Sequence, residues 1–106
     1  MTESEFNTMA DATLERLSQA LEQGAADCDW ELKGEGVLEL EFEDGSRIIV
    51  NRHSAAREIW VAAKSGGYHF RHDGARWVDT RSGGELFASL SRYVSEQSGA
   101  PVILSA

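Results

Sequence analysis

The chain has 106 residues, 42% of them hydrophobic, enough for one domain spanning residues 1–106 with its own core and too little for a second. The formal net charge is −8, and residues 1–45 hold 13 acids against 2 bases while residues 46–106 hold 5 against 8. That balance argues against nucleic acid as a partner and points the acidic half toward cations or a basic protein surface, and the single cysteine excludes an internal disulphide and a cysteine-based zinc site.

The opening stretch "MTESEFNTMADATL" has no basic region leading into an apolar run, and no segment approaches the roughly 18 apolar residues of a membrane span. The chain is therefore expected in the cytoplasm, with no membrane partner. Phe6, Met9, Ala10, Leu14, Leu17 and Leu21 recur at spacings of three and four, which predicts an amphipathic helix. Thr2 and Glu5 fit a capping box at its start and Gly24 a stop at its end. The passage "EQGAAD" then reads as a short link to the first strand.

In "DCDWEL", Cys28, Trp30 and Leu32 alternate with Asp27, Asp29 and Glu31, and in "VLELEFE", Leu38, Leu40 and Phe42 alternate with Glu39, Glu41 and Glu43. Both read as half-buried strands, with Cys28 a small reduced core residue. Asp44-Gly45 predicts a type I′ hairpin into "RIIVNR". The meander continues through "EIWVAAK", the Ser65-Gly66-Gly67 turn, "YHFRH", the Asp73-Gly74 turn and "RWVDT". Ser82 and Glu85 fit a second capping box, opening a helix whose Leu86, Phe87, Leu90, Tyr93 and Val94 share a face and which Gly99 and Pro101 end. The tail "PVILSA" is expected to pack on the helices. The predicted class is α+β: a two-layer α-β sandwich, with two helices packed on one face of a five- or six-stranded antiparallel sheet.

Two groups of residues stand out. Asp11, Glu15, Ser18 and Glu22 fall within an arc of about 60° opposite the apolar stripe of the first helix, and Asp27, Asp29 and Glu31 follow on one side of the next strand. Together they predict one continuous acidic ridge, either a solvated face or a surface for cations or a partner. Clustered like charges destabilise, and carboxylate oxygens suit Fe²⁺, Fe³⁺, Mg²⁺, Ca²⁺ or Mn²⁺ only weakly and unselectively when no His or Cys closes the site. The second group surrounds Trp60, whose parity places it on the sheet face away from Ile59 and Val61, near Asn51, Arg52 and Lys64. An indole there is a natural interface anchor, unless a long neighbouring side chain covers it or a bulge reverses its parity. Trp77 is expected to be the more buried tryptophan. His53, His69 and His72 lack metal-binding spacing, although His53 and His69 fall where they can meet on one face of the sheet. No serine or cysteine sits in a nucleophile motif, so no catalytic residue is assigned.

The chain resembles the frataxin family, in its bacterial branch. The resemblance runs through "SEF…MAD", the acidic helix-to-strand passage, "GVL…FEDGSRIIVNR", "IWVAAKSGGYHF" and a "W…D.RSG" segment, over essentially the whole chain. It implies a non-enzymatic protein that binds iron weakly and regulates iron-sulphur cluster assembly, docking on the cysteine desulphurase and the scaffold protein. The family's metal ridge carries over onto Asp11, Glu15, Glu22, Asp27, Asp29 and Glu31, and its partner-binding sheet surface onto Asn51, Arg52 and Trp60. A monomer is expected, with an iron-dependent oligomer as a further state. Two other readings stay open: iron storage with ferroxidase activity, and haem binding with His53 or His69 as axial ligand.

Overall fold

The computed structural model of the chain describes residues 1–24 and 26–106. Helix α1 runs Glu3–Gln23 and opens on the expected box: Thr2 Oγ1 accepts from Glu5 N at 3.1 Å, and Glu5 Oε1 accepts from Thr2 N at 2.8 Å. Its buried stripe is Phe6, Ala10, Thr13, Leu14, Leu17, Ala20 and Leu21. The link "EQGAAD" includes Ala25, which lies outside the described residues.

Six strands follow: β1 Cys28–Lys33, β2 Val37–Phe42, β3 Arg47–His53, β4 Glu58–Ala63, β5 Gly66–His72 and β6 Trp77–Asp79. Each pairs antiparallel with the next, so the sheet order is the chain order. Helix α2, Leu86–Ser98, closes the element list. Both helices cover the face that carries Leu38, Leu40, Phe42, Ile48, Val50, Ile59, Val61 and Phe70, with α1 over β1–β3 and α2 against β6. The other face has no covering layer among the described residues. This is the expected two-layer sandwich, with six strands.

Trp77 joins the layers. It is 4% exposed, meets Phe6 edge to face at 5.8 Å, and its Nε1 donates to Thr13 Oγ1 at 3.0 Å. Thr13 Oγ1 in turn donates to Met9 O at 2.9 Å and accepts from Arg16 Nη2 at 3.4 Å, so this buried hydroxyl is satisfied both as donor and as acceptor. The tail also docks as expected: Val102 and Leu104 are buried, and the hydroxyls of Ser91 and Ser95 accept from Leu104 N and Val102 N.

Several local expectations are corrected. The Asp44-Gly45 hairpin is not type I′, because only Gly45 has positive φ, at 86°. Gly45 N bonds Phe42 O and Phe42 N bonds Ser46 O, the pattern of a three-residue loop ending in a glycine bulge. Ser82 does not cap α2. The Asp79 carboxylate takes the Arg81 and Ser82 amides into a tight turn, and Val78 bridges to Glu85, so the helix begins only after Glu85. Glu85 caps it, accepting from Phe87 N at 2.7 Å and Ala88 N at 3.0 Å. Leu32 is 42% exposed and Cys28 only half-buried, since α1 does not reach over the whole width of the edge strand.

Arg52 also lies on the other side of the sheet from the one expected. Residues 48, 50 and 52 share the helix-covered face, and the Arg52 guanidinium turns up to Asp11 on α1, with Nε 3.0 Å from Oδ1. Its side chain runs over Gly36, filling the space a Cβ there would occupy. With a φ of 75°, that position in the Gly34–Gly36 turn takes only glycine. Glu35 stands in the same turn with φ 67°.

Candidate functional site

The uncovered sheet face is built by strand register. Val37, Asn51, Trp60 and His69 follow one another across four strands, as Val37 pairs with Asn51, Asn51 with Trp60 and Trp60 with His69. One row further along, His53 pairs with Glu58 and Glu58 with Arg71. Trp60 is therefore ringed by Asn51, His53, Glu58, His69 and Arg71, and the structure brings Asn51 and Trp60 together as expected.

The indole is not bare. The His53 ring stacks on it with centroids 3.8 Å apart and planes 12° apart, and the His69 ring stacks with 4.5 Å and 8°. Trp60 is half-buried as a result, so the neighbouring side chains anticipated from sequence do cover part of it, and they are imidazoles. Its Nε1 donates to Glu58 Oε1 at 2.9 Å. Glu58 is 7% exposed and also holds Arg71 Nη2 at 2.8 Å and lies 3.4 Å from His69 Nδ1. His53 Nδ1 accepts from Ala56 N at 3.3 Å, which orients that ring from the loop side. Each group fixes another, so Trp60 is held in one orientation before any partner arrives.

Glu58 was not singled out from the sequence. Burial alone would raise its carboxyl pKa, but the hydrogen bonds from Trp60 and Arg71, with the Arg71 charge, hold it below the ordinary value of a glutamate. A group depressed in the folded state contributes stability that is complete above its unfolded pKa and is lost as pH falls through its folded value. The parent is therefore expected to be more stable than Glu58→Gln at pH 7. That difference should shrink below about pH 4.5, as read by urea melts at stepped pH; a constant difference from pH 7 to pH 3 would show that the charge is not what stabilises.

The acids come from two layers. Asp11, Glu15 and Glu22 sit on the exposed side of α1, whereas Asp29 and Glu31 project from β1 on the uncovered sheet face, because Cys28, Trp30 and Leu32 take the helix side. Asp27 lies in the bend before β1. The expected ridge therefore draws its acids from both sides of the β1 edge, the helix layer and the uncovered sheet face. On the sheet side, Asp29 stands directly opposite Glu41 and Glu31 opposite Glu39. Lys33 and Arg47 pair with Glu39, and Arg47 with Glu41. Among the described residues no group of three or more His, Cys, Asp or Glu converges as a metal-ligand set. The hard oxygen donors suit iron in type, but as separate exposed carboxylates. Burial, then the charges of Asp29 and Asp27, push the Cys28 thiol up to about 11, so the free thiol is protonated at neutral pH.

This arrangement gives two acids opposite signs. Glu31 faces a like charge, so Glu31→Gln is expected to raise the melting temperature in low salt by about 1–3 °C, the size of a few tenths of a kcal/mol in a domain this small. Asp11 holds the 19%-exposed Arg52 side chain, so Asp11→Asn is expected to lower it. A fall for Glu31→Gln would mean that the carboxylate makes a stabilising contact on β1.

Comparison with known proteins bears on the whole chain. A family model described as a frataxin-like domain matches residues 1–100. A protein of Dechloromonas aromatica named iron-sulfur cluster assembly protein CyaY is 56% identical over 104 residues, covering 98% of this chain and 99% of its own. One of the same name from Cupriavidus metallidurans is 54% identical, covering 98% and 96%. Among solved structures, frataxin from Psychromonas ingrahamii superposes with a TM-score of 0.91 at 32% identity over 100% of both chains. Trimeric frataxin from yeast complexed with ferrous iron superposes with 0.72 at 31% identity, covering 85% of each.

Proposed function

The chain belongs to the frataxin family, in its bacterial CyaY branch, and from that premise we propose that it serves iron-sulphur cluster assembly as a non-catalytic docking protein that also takes iron weakly. The observation that carries the docking reading is Trp60, a pre-oriented and half-exposed aromatic in the middle of a sheet face that no element covers among the described residues. Aromatic side chains fixed in place and ringed by polar groups are the usual anchors of protein interfaces. The partners proposed are the cysteine desulphurase and the scaffold protein. Asn51 and Trp60 contact the assembly complex, while the acids of α1 and β1 meet a basic patch on the desulphurase. Arg52 is not part of this surface, since it serves Asp11 on the helix side.

Iron enters as cargo or signal at Asp11, Glu15, Glu22, Asp27, Asp29 and Glu31. Because those carboxylates do not converge, affinity for Fe²⁺ is expected to be micromolar or weaker, shared with Mn²⁺ and Ca²⁺ and eroded in small steps by each acid removed. Anaerobic titration calorimetry reads this; nanomolar binding abolished by one histidine substitution would refute it. If iron and the desulphurase use the same acids, iron weakens docking, and cluster production becomes sensitive to iron. The test is the affinity of the chain for the desulphurase–scaffold complex at constant ionic strength, with and without iron and for Trp60→Ala. Docking indifferent to both would overturn the reading.

A further inference from the structure

The two edges of the sheet are not equivalent. β6 has three residues, and its outer side is taken by the returning chain: Val78 bridges to Glu85, and Asp79 N bonds Gly84 O. β1 has six residues, all in register with β2 from Cys28–Phe42 to Lys33–Val37, with no bulge and no proline. Among the described residues Cys28 N bonds Ala26 O in the link before the strand, and beyond that no segment other than β2 bonds to it, which leaves the outward groups of Trp30 and Leu32 open. Such an edge presents a row of unpaired N–H and C=O groups over about 20 Å and is normally blunted by lysine, proline or a bulge. Here the one lysine, Lys33, stands at the far end and is engaged by Glu39. The flanks of the edge differ. On the helix side lie the partly exposed apolar groups of Cys28, Trp30 and Leu32, and on the uncovered side lie Asp29 and Glu31.

We infer that the outer edge of β1 is a strand-addition site for an extended segment of another protein, in which basic residues alternate with apolar ones. Main-chain hydrogen bonds supply the pairing, the basic side chains reach Asp29 and Glu31, and the apolar ones lie along Cys28, Trp30 and Leu32. A second copy of this chain is the wrong occupant, since antiparallel self-pairing sets its acids against their own kind. The inference needs only the strand edge and its charges, and stands whether or not the same acids take iron.

The probe is an eight-residue peptide of alternating lysine and valine, blocked at both ends, mixed with the intact chain, and the readout is amide hydrogen exchange. Outward-facing amides of β1 are expected to slow about ten-fold or more at saturation, while those of α1 stay unchanged. A comparison peptide with the same side chains but alternate amides N-methylated keeps the charge and loses the donors, so its affinity should fall about ten-fold. Glu31→Lys should weaken the parent peptide about five-fold, and Glu15→Lys on α1 less than two-fold. Equal binding by the methylated peptide, or protection spread over α1, would reduce the effect to attraction of a polycation and overturn the site. So would a peptide-free dimer protected along β1.

Discussion

Trp77→Ala is expected to cost the fold about 3–5 kcal/mol, the range for truncating a buried aromatic. The ring is 4% exposed and lies where β6 meets α1, so its loss opens a cavity against Phe6 and withdraws a donor that Thr13 accepts from. The buried Thr13 hydroxyl then keeps its bond to Met9 O and the longer one from Arg16 Nη2 at 3.4 Å, so the cavity carries most of the loss. Set against a total stability of about 5–15 kcal/mol for domains generally, the variant should be partly unfolded well below the parent's midpoint in a urea melt. Trp77→Phe keeps most of the volume and loses the hydrogen bond, and should fall between the two. A loss below about 1.5 kcal/mol for the alanine variant would show that the cavity collapses or fills.

Trp60→Ala is expected to reverse that balance. The indole is half-buried on an uncovered face, and truncating it removes two stacking contacts and one hydrogen bond without opening the core. We expect about 1–2 kcal/mol of stability lost. Binding to the desulphurase–scaffold complex should drop by about 2 kcal/mol or more, roughly thirty-fold, since an anchor already held in place loses its full contribution when cut away. Both numbers come from one pair of experiments, a denaturant melt and an affinity titration. A variant that melts as easily as Trp77→Ala but binds as well as the parent would make the indole a structural residue.

The contrast between these tryptophans was legible in the sequence, and the reason is the period-two alternation of a strand. Ile59 and Val61 define the inner face, so Trp60 must point outward. The same alternation was available for Arg52, between Val50 and the turn, and it places the side chain with the helices. Proximity in sequence to Asn51 pointed the other way, and strand parity decides. The capping box of α1 was legible because its donors and acceptors are three residues apart and nothing else competes for them. The second was not, because Ser82 and Glu85 have the right spacing but Asp79, three residues earlier, takes the Ser82 amide first. Glu58 could not be recognised as a hub without the register that sets it between His53 and Arg71, since its partners come from β3, β4 and β5. The division of the acids between two layers is hidden for a related reason: spacing along the helix and along the strand each groups its own acids, and only the layer order shows that they come from opposite sides of the β1 edge.

The strand order bears on how the chain reaches this state. Every strand pairs with its neighbour in sequence, so the sheet can grow one hairpin at a time, and each step closes a short loop at little entropic cost. The contacts that cannot form this way are those that seat the helices, among them the bond from Trp77 to Thr13, which spans 64 residues and fastens the first element to the last strand. Closing that span is the expensive step, so the helix that begins the chain is expected to seat late, after most of the meander exists. A folding transition state that waits on α1 would show in the Trp77 variant as slower refolding rather than faster unfolding.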